Sequence, residues 1–229
     1  MDRREFSALV LFDIDGTLIR RAGPHHREAL VDAVRAVTGL VTTTDHIPVH
    51  GMLDPDILAR MMQDAGASRA AVRRHLPAIM QRAQAIYVRR CPNLQRKTCP
   101  GVRRLLYALS RRGIPLGLVT GNLTRIGWKK MERAKLRHYF RFGVFAEMAA
   151  NRATLARMAI EHARRQAWIG RRASISLIGD APSDIIAARA NGARAIAVHT
   201  GISTREELAA LEPDILLEDL RALKADMLL

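Results

Sequence analysis

The sequence is poor in cysteine and in aromatic side chains. Only 2 of its 229 residues are Cys, and 4% are aromatic. Cys91 and Cys99 have no CxxC spacing and no His pattern beside them, so they are weak candidates for a metal site. Two cysteines also exclude a small fold held by several disulfides, and we expect both thiols to be reduced.

The sequence also lacks a long hydrophobic run. The apolar run at its start, Phe6–Phe12, stops at Asp13. That run is too short for a membrane span or an ordinary signal peptide, and no small-residue cleavage site follows it. We therefore expect a cytoplasmic protein with no membrane partner.

Negative charge is scarce relative to positive charge. The chain has 37 Lys and Arg against 22 Asp and Glu, a formal net charge of +15. The arginines occur as pairs along the whole chain, which fits solvated helix faces or attraction of anionic substrates or nucleic acid. No nucleic-acid motif and no basic stretch interleaved with aromatics accompanies them. We therefore favour solvated faces and expect no nucleic-acid partner.

What the chain does contain is a regular alternation of short apolar runs and helical patterns. Nearly half of the residues, 48%, are hydrophobic, enough for a sizeable core. Continuous apolar runs separated by helices predict an α/β fold with a parallel sheet covered on both faces. The predicted strands are Ala8–Phe12, Ile114–Val119, Phe142–Phe145, Ile175–Ile178, Ala195–Val198 and Ile215–Leu217.

The alternation breaks after the first strand. Residues 20–98 contain no convincing strand, only helical stretches at Pro24–Thr38, Pro55–Ala65 and Ser68–Arg89, the last interrupted at Pro77. Connections in a compact α/β domain are normally short. We therefore predict a helical cap domain at 20–98, inserted into a core formed by 1–19 and 99–229 and placed above its crevice.

Polar residues follow three of the predicted strands. Asp13 and Asp15 follow the first, Thr120-Gly121-Asn122 the second, and Asp180 and Asp184 the fourth. The carboxyl ends of parallel strands form the ligand crevice of such a sheet. Carboxylates this close repel each other and are costly to desolvate. They indicate a divalent cation, a shared proton or a reactive phosphorus between them.

These motifs resemble those of the haloacid dehalogenase-like hydrolase superfamily. Asp13–Thr17 is similar to its DxDGT motif, Thr120 to its second motif, and Gly179–Asp184 to its acidic fourth motif. The third motif usually has Lys, but here Arg152 stands just before a predicted helix, Ala153–Arg165. The resemblance points to the phosphoglycolate phosphatase-like branch, and implies a Rossmann-like doubly wound core with a C1-type helical cap.

The resemblance also implies roles for single residues. Asp13 would attack phosphorus and form an aspartyl-phosphate, and Asp15 would act as general acid and then as general base. Mg²⁺ would be held by Asp13 and Asp180, by the backbone carbonyl of Asp15, and by Asp184 through water or as a supporting group.

Other residues would then bind the substrate. Thr120 would bond a phosphoryl oxygen beside the N–H groups of Gly121 and Asn122, and Arg152 would neutralise charge on Asp13 and the phosphoryl group. The loop Gly51–Asp54 resembles a substrate-facing loop of related caps, although Leu53 replaces its usual Thr. Further candidates at the site or its entrance are Thr17, Arg20, Arg21, His25, His26 and Asp54.

The sequence therefore predicts a Mg²⁺-dependent phosphatase that acts on a small phosphorylated metabolite, as a monomer or homodimer. Two alternatives stay open: a phosphoglucomutase-like phosphotransferase, and a non-catalytic protein of the same fold that binds anions or nucleic acid. A 2-haloacid dehalogenase is disfavoured, because cleaving a carbon–halogen bond would leave Asp15, Asp180 and Asp184 without a task.

Overall fold

A computed structural model describes residues 6–20 and 23–229. Residues 1–5 of the predicted core, and residues 21 and 22 of the predicted cap, lie outside this part of the chain. Within it, six strands form one parallel sheet in the order β3-β2-β1-β4-β5-β6. The strands are β1 (Phe6–Phe12), β2 (Leu116–Val119), β3 (Phe142–Val144), β4 (Ile169–Gly179), β5 (Arg194–Val198) and β6 (Ile215–Leu217). The predicted α/β fold class is confirmed.

Helices cover both faces of the sheet and fill the long connection after β1. They are α1 (His25–Thr38), α2 (Asp54–Asp64), α3 (Arg69–Arg90), α4 (Val102–Arg111), α5 (Thr124–Arg133), α6 (Arg152–Arg165), α7 (Pro182–Arg189) and α8 (Arg205–Ala209). Short 3₁₀ helices lie at Gln95–Lys97, Arg137–Tyr139, Ala146–Met148 and Ala225–Leu228. No helix in the described ranges is both long enough and apolar enough to cross a membrane.

The central strand β1 is apolar on both faces because both faces are covered. Side chains alternate along a strand, so Val10 and Phe12 point to one side and Leu9 and Leu11 to the other. The first pair joins the core formed with α1–α5, and the second pair joins the core formed with α6 and α7. This double burial fixes β1 between β2 and β4, and so fixes the position of the residues that follow it.

Residues 23–98, which we call the helical segment, contain α1, α2 and α3. The two connections between this segment and the sheet run side by side: Arg20 N–H donates to Lys97 O, and Cys99 N–H donates to Leu18 O. This pairing at residues 18–20 and 97–99 supports the division into a core and a cap, which remains our proposal.

Helix α3 differs from its prediction. It runs without a break through Pro77, so the predicted interruption there is wrong. Proline removes one backbone donor from a helix interior. The helix continues because Ile79, Ala83 and Ile86 are buried in the core that α3 shares with α1.

Strand β4 is also longer than predicted. Exposed Arg171 and Arg172 break the apolar pattern, so the sequence indicates a strand only over Ile175–Ile178. Backbone pairing does not depend on that pattern, and Phe6 at the start of β1 pairs with Ile169.

Candidate active site

The carboxyl ends of β1, β2 and β4 open into a cavity of about 620 Å³ beneath the helical segment. The predicted site residues that line it are Asp13, Asp15, His26, Asp54, Gly121, Asn122, Arg152 and Asp180. The sheet therefore brings the three polar strand ends to one cavity. Thr17, Thr120 and Asp184 are buried just behind this lining.

Asp13 is held by an arginine from α6. Arg152 Nη1 lies 2.8 Å from Asp13 Oδ1 and 3.0 Å from Asp184 Oδ1. Arg152 is the first residue of α6, whose N-cap Asn151 accepts a hydrogen bond from Thr154 N–H at 2.8 Å. Burial alone would lower the pKa of Arg152, but Asp184 and Asp13 raise it, so its charge is permanent.

Asp13, Asp180 and Asp184 form a group that we call the carboxylate cluster. Each offers one oxygen that lies within 4.8 Å of those of the other two. Burial, reinforced by Asp13 and Asp184, raises the pKa of Asp180 well above its ordinary value. Burial also raises the pKa of Asp184 to about 7, although Arg152 opposes the shift. Among the residues that the structure describes, Arg152 is thus the one Lys or Arg side chain that pairs with these three buried carboxylates.

The carboxylate cluster suits a hard divalent cation. Asp180 Oδ2 and Asp184 Oδ1 are buried and accept no hydrogen bond from the described part of the chain, although the latter is ion-paired to Arg152. Buried polar atoms are normally hydrogen-bonded, so such orphans require an explanation. Convergent carboxylate oxygens are the donor set that Mg²⁺ prefers.

The turn after β1 is shaped around Asp180. Gly16 has a φ of +88°, and a Cβ at this position would overlap the Asp180 carboxylate. Only glycine meets both conditions without strain. The next residue, Thr17, is fully buried and donates from Oγ1 to Asp180 Oδ1 at 3.1 Å. Thr17, which we predicted to bind substrate, therefore contacts a cluster carboxylate.

Asp15 lies in a different environment from Asp13. Its Oδ2 accepts hydrogen bonds from Lys130 Nζ at 2.6 Å and from Asn122 Nδ2 at 2.8 Å. Partial burial alone would raise the pKa of Asp15, but the charge of Lys130 and the hydrogen bonds from Lys130 and Asn122 lower it overall. With 41% of its side chain exposed, Asp15 still faces the cavity.

The loop after β2 joins the cavity to the helical segment. Thr120 is fully buried, and its Oγ1 accepts a hydrogen bond from Asn122 Nδ2 at 2.7 Å. The Gly121 carbonyl accepts from Asp54 N–H at 2.8 Å, and a Cβ on Gly121 would overlap the Met52 carbonyl. Glycine at this position therefore lets the loop after β2 pack closely against the Met52 carbonyl of the helical segment.

The entrance candidates separate into two groups. Asp54 is buried, and its Oδ2 accepts from Leu123 N–H at 2.8 Å and pairs with His26 Nε2 at 3.1 Å. His26 lines the cavity, whereas His25 lies 3.6 Å from Glu28 and outside the lining. Arg20 is exposed and also outside it, and Arg21 falls outside the described residues.

Several residues of the cavity are not identified from the sequence, among them Lys130, His50 and Arg27. Lys130 is 1% exposed and lies on the buried face of α5, four positions after Ile126. A lysine within a helical apolar stripe is a readable signal, because a buried charge needs partners. His50 follows no such pattern: it lies in a loop, with Nε2 at 2.7 Å from Ser203 Oγ and 3.8 Å from Asp180 Oδ2. Burial lowers the pKa of His50.

Comparison with known proteins identifies related chains. The family described as haloacid dehalogenase-like hydrolase matches residues 10–198. A curated relative, "Phosphoglycolate phosphatase" of Synechococcus elongatus, is 30% identical over 219 residues, which cover 91% of this chain and 92% of the relative.

Solved structures of similar fold cover nearly the whole chain. CbbY from Rhodobacter sphaeroides, solved in complex with phosphate, superimposes with a TM-score of 0.72 at 21% identity and covers 95% of this chain and 96% of its own. A β-phosphoglucomutase from Clostridium difficile has a TM-score of 0.70 at 16% identity, with 96% and 94% covered. At these identities the likeness establishes the fold alone.

Proposed function

The chain belongs to the haloacid dehalogenase-like hydrolase family, and on this basis we propose that it is a Mg²⁺-dependent phosphatase for a small phosphomonoester. The observation that carries the proposal is the contrast between two neighbouring aspartates on one cavity. Asp13 belongs to a cluster short of positive charge, and Asp15 is paired with Lys130. Nucleophile and proton carrier need such separate environments.

Asp13, Asp180 and Asp184 would hold the cation, with the backbone carbonyl of Asp15. When bound, Mg²⁺ supplies positive charge that screens the repulsion between the carboxylates and the anionic phosphoryl group. Asp180 Oδ2, which is buried and accepts no hydrogen bond from the described residues, supports this assignment.

In the first half of the reaction, an Asp13 oxygen bonds to phosphorus while the bond from phosphorus to the ester oxygen breaks. Asp15 gives its proton to the departing alkoxide, and the negative charge of the incoming phosphoryl group favours the protonated form of Asp15 beforehand. Arg152, 2.8 Å from Asp13, orients the nucleophile and offsets the charge that gathers on it.

In the second half, water attacks the aspartyl-phosphate. Asp15 takes a proton from the water, the oxygen bonds to phosphorus, and the bond from phosphorus to Asp13 breaks. This releases inorganic phosphate, restores the Asp13 carboxylate and returns Asp15 to its protonated form. Lys130 favours the ionised Asp15 that this step needs.

The cavity suits a small substrate. Its volume of about 620 Å³ lies beneath the helical segment, and Arg27, His26 and His50 line it besides the core residues. A relative named phosphoglycolate phosphatase supports a phosphorylated small acid as the substrate class. We further propose that the protein acts in the cytoplasm, as a monomer or homodimer.

The test is a screen of phosphorylated metabolites with Mg²⁺ that compares the wild-type protein with Asp13→Asn. We expect phosphate release from at least one small phosphomonoester by the wild type and none by the variant, with unchanged thermal unfolding. Full activity in Asp13→Asn would remove the nucleophile assignment.

Two other outcomes would replace the proposal. Transfer of the phosphoryl group back to product through a bisphosphate would identify a phosphotransferase. Salt-dependent binding of DNA or RNA without hydrolysis of any ester would identify a binding protein.

A further inference from the structure

We propose that Lys130 is a positioning residue that fixes the Asp15 carboxylate for proton transfer, and that His26 and Asp54 of the helical segment hold Lys130 in place. The inference rests on the proposed function, in which Asp15 carries the proton. It adds a residue that belongs to none of the four motifs and makes the geometry of the proton carrier depend on the helical segment.

The contacts of Lys130 use its whole hydrogen-bonding capacity. A lysine ammonium has three N–H donors and no acceptor. Three acceptors surround Nζ: Asp15 Oδ2 at 2.6 Å, Asn122 Oδ1 at 2.6 Å and His26 Nδ1 at 3.1 Å. An ammonium with all three donors directed has one defined position, and that position determines where Asp15 lies.

Burial makes this arrangement rigid. Lys130 is 1% exposed, so water cannot take over its hydrogen bonds. Nζ also lies 5.8 Å from the centroid of the Tyr87 ring of α3, a favourable distance for a cation near an aromatic face. Lys130 belongs to the core through α5, yet two of its neighbours, His26 and Tyr87, belong to the helical segment.

The tautomer of His26 follows from these contacts. Because Lys130 donates to Nδ1, the ring hydrogen lies on Nε2 and is directed at Asp54 Oδ2, 3.1 Å away. Asp54 in turn accepts from Leu123 N–H, next to Asn122. The chain Leu123–Asp54–His26–Lys130–Asp15 therefore starts and ends on the core and passes through α2 and α1.

This role predicts a dependence on the leaving group. An alkyl phosphate departs as a strongly basic alkoxide and needs the proton from Asp15, whereas p-nitrophenolate is a weak base and needs it little. General acid catalysis typically contributes about 10²–10⁴-fold to a rate. A misplaced Asp15 will therefore slow alkyl phosphates far more than p-nitrophenyl phosphate, which loss of stability alone would not do.

The experiment compares Lys130→Met with Lys129→Met in the full chain with Mg²⁺. Methionine keeps the length of the lysine side chain without its donors, and Lys129, paired with Glu132 at 3.0 Å, is the neighbouring control. For phosphoglycolate or another hydrolysed alkyl phosphate, we expect Lys130→Met to lower kcat by about 100-fold, with KM changed less than about threefold. For p-nitrophenyl phosphate we expect a loss of kcat below about tenfold.

A second variant covers the case in which Lys130→Met does not fold. His26→Ala keeps Lys130 and removes one of its three acceptors, so we expect the same preference for the better leaving group with a smaller ratio. Equal losses on both substrates in a folded Lys130→Met or His26→Ala protein would overturn the inference, as would losses in Lys129→Met that match them.

Asp15→Asn separates this inference from the proposed function. If Asp15→Asn shows the leaving-group dependence and Lys130→Met does not, the positioning role of Lys130 fails alone. If Asp15→Asn shows none, the assignment of Asp15 as the proton carrier fails, and the inference fails with it.

Discussion

Asp13 and Asp15 are separated by one residue, yet they have opposite electrostatic surroundings. On the Asp13 side, three buried carboxylates share the charge of Arg152, and oxygens of Asp180 and Asp184 lack hydrogen-bond donors among the described residues. On the Asp15 side, the ammonium of Lys130 is ion-paired with the Asp15 carboxylate, and all three of its N–H donors are hydrogen-bonded.

The difference shows which side lacks enough positive charge to balance its carboxylates. The raised pKa values of Asp180 and Asp184 are what burial does to carboxylates without enough positive charge. The pKa of Asp15 is lowered because the effects of Lys130 and Asn122 are larger than the effect of partial burial, which would raise it. The Asp13 side can therefore accept a further positive charge, from a proton or from the cation that we propose, whereas the Asp15 side has the charge of Lys130.

Metal removal should have the largest effect, because it acts on the Asp13 side, whose carboxylates lack enough positive charge. We expect chelation by EDTA to reduce phosphatase activity by at least about 10³-fold and Mg²⁺ to restore it. As a readout independent of activity, Mg²⁺ should raise the thermal unfolding temperature of the metal-free wild type more than that of Asp180→Asn. Equal shifts in the two proteins would place the cation elsewhere.

Removing Arg152 should have the next largest effect. Without its guanidinium, the three carboxylates have no Lys or Arg partner among the described residues, so we expect Arg152→Ala to lower kcat/KM by about 100-fold or more. Exposed Arg157 on the same helix is the control, and Arg157→Ala should change kcat/KM less than about twofold.

Arg152→Lys tests whether charge is the reason. It keeps the positive charge and should retain more activity than Arg152→Ala. Similar losses in Arg152→Ala and Arg157→Ala would show that Arg152 is an ordinary helix residue.

The contribution of Asp184 to the stability of the metal-free protein should fall as pH rises. Asp184 has a pKa of about 7 in the folded chain and an ordinary value of 3.8, so between these values the folded state binds more protons than the unfolded state. Stability from this group is thus complete at low pH and is lost as pH rises toward about 7, by an amount on the order of a few kcal/mol. Asp180 adds to the same trend.

Asp184→Asn checks this pH dependence. Urea unfolding of the metal-free protein at several pH values between 4 and 8 should give a shallower decline for the variant than for the wild type. Parallel curves would show that Asp184 titrates in the same way in the folded and unfolded chains.

The smallest effect should come from a change at Asp54, the residue of the helical segment that pairs with His26. Asp54→Ala leaves the buried Leu123 N–H and His26 without an acceptor, which should cost about 1–3 kcal/mol of stability. Asp56→Ala, at an exposed position in the same helix turn, should cost less than about 1 kcal/mol. Equal costs would mean that Asp54 acts only through the helix dipole.

The sequence predicted the Asp13 side of the site better than the Asp15 side. Asp13, Asp180 and Arg152 lie at strand ends or a helix start, where local patterns of strands and helices locate them. The fold, the family and this edge of the sheet followed from those patterns. The roles of the individual residues stay predictions.

The Asp15 side depends on tertiary contacts that have no local pattern. Lys130 belongs to no sequence motif. Only its position on the apolar face of α5 distinguishes it from exposed Lys135. His26 and His25 are equivalent in sequence, and the packing of α1 alone decides which faces the cavity. Likewise, the packing of α3 on α1 overrides the local effect of Pro77.

The most direct test of the division between Asp13 and Asp15 is to trap the phosphoryl group. Asp15→Asn should still form the intermediate from p-nitrophenyl phosphate with Mg²⁺, because that leaving group needs no acid, and should hydrolyse it slowly. Mass spectrometry of the acid-quenched protein should then show one phosphoryl group on the peptide that contains Asp13, and none in Asp13→Asn. A phosphoryl group on another residue, or none during measurable turnover, would contradict the account.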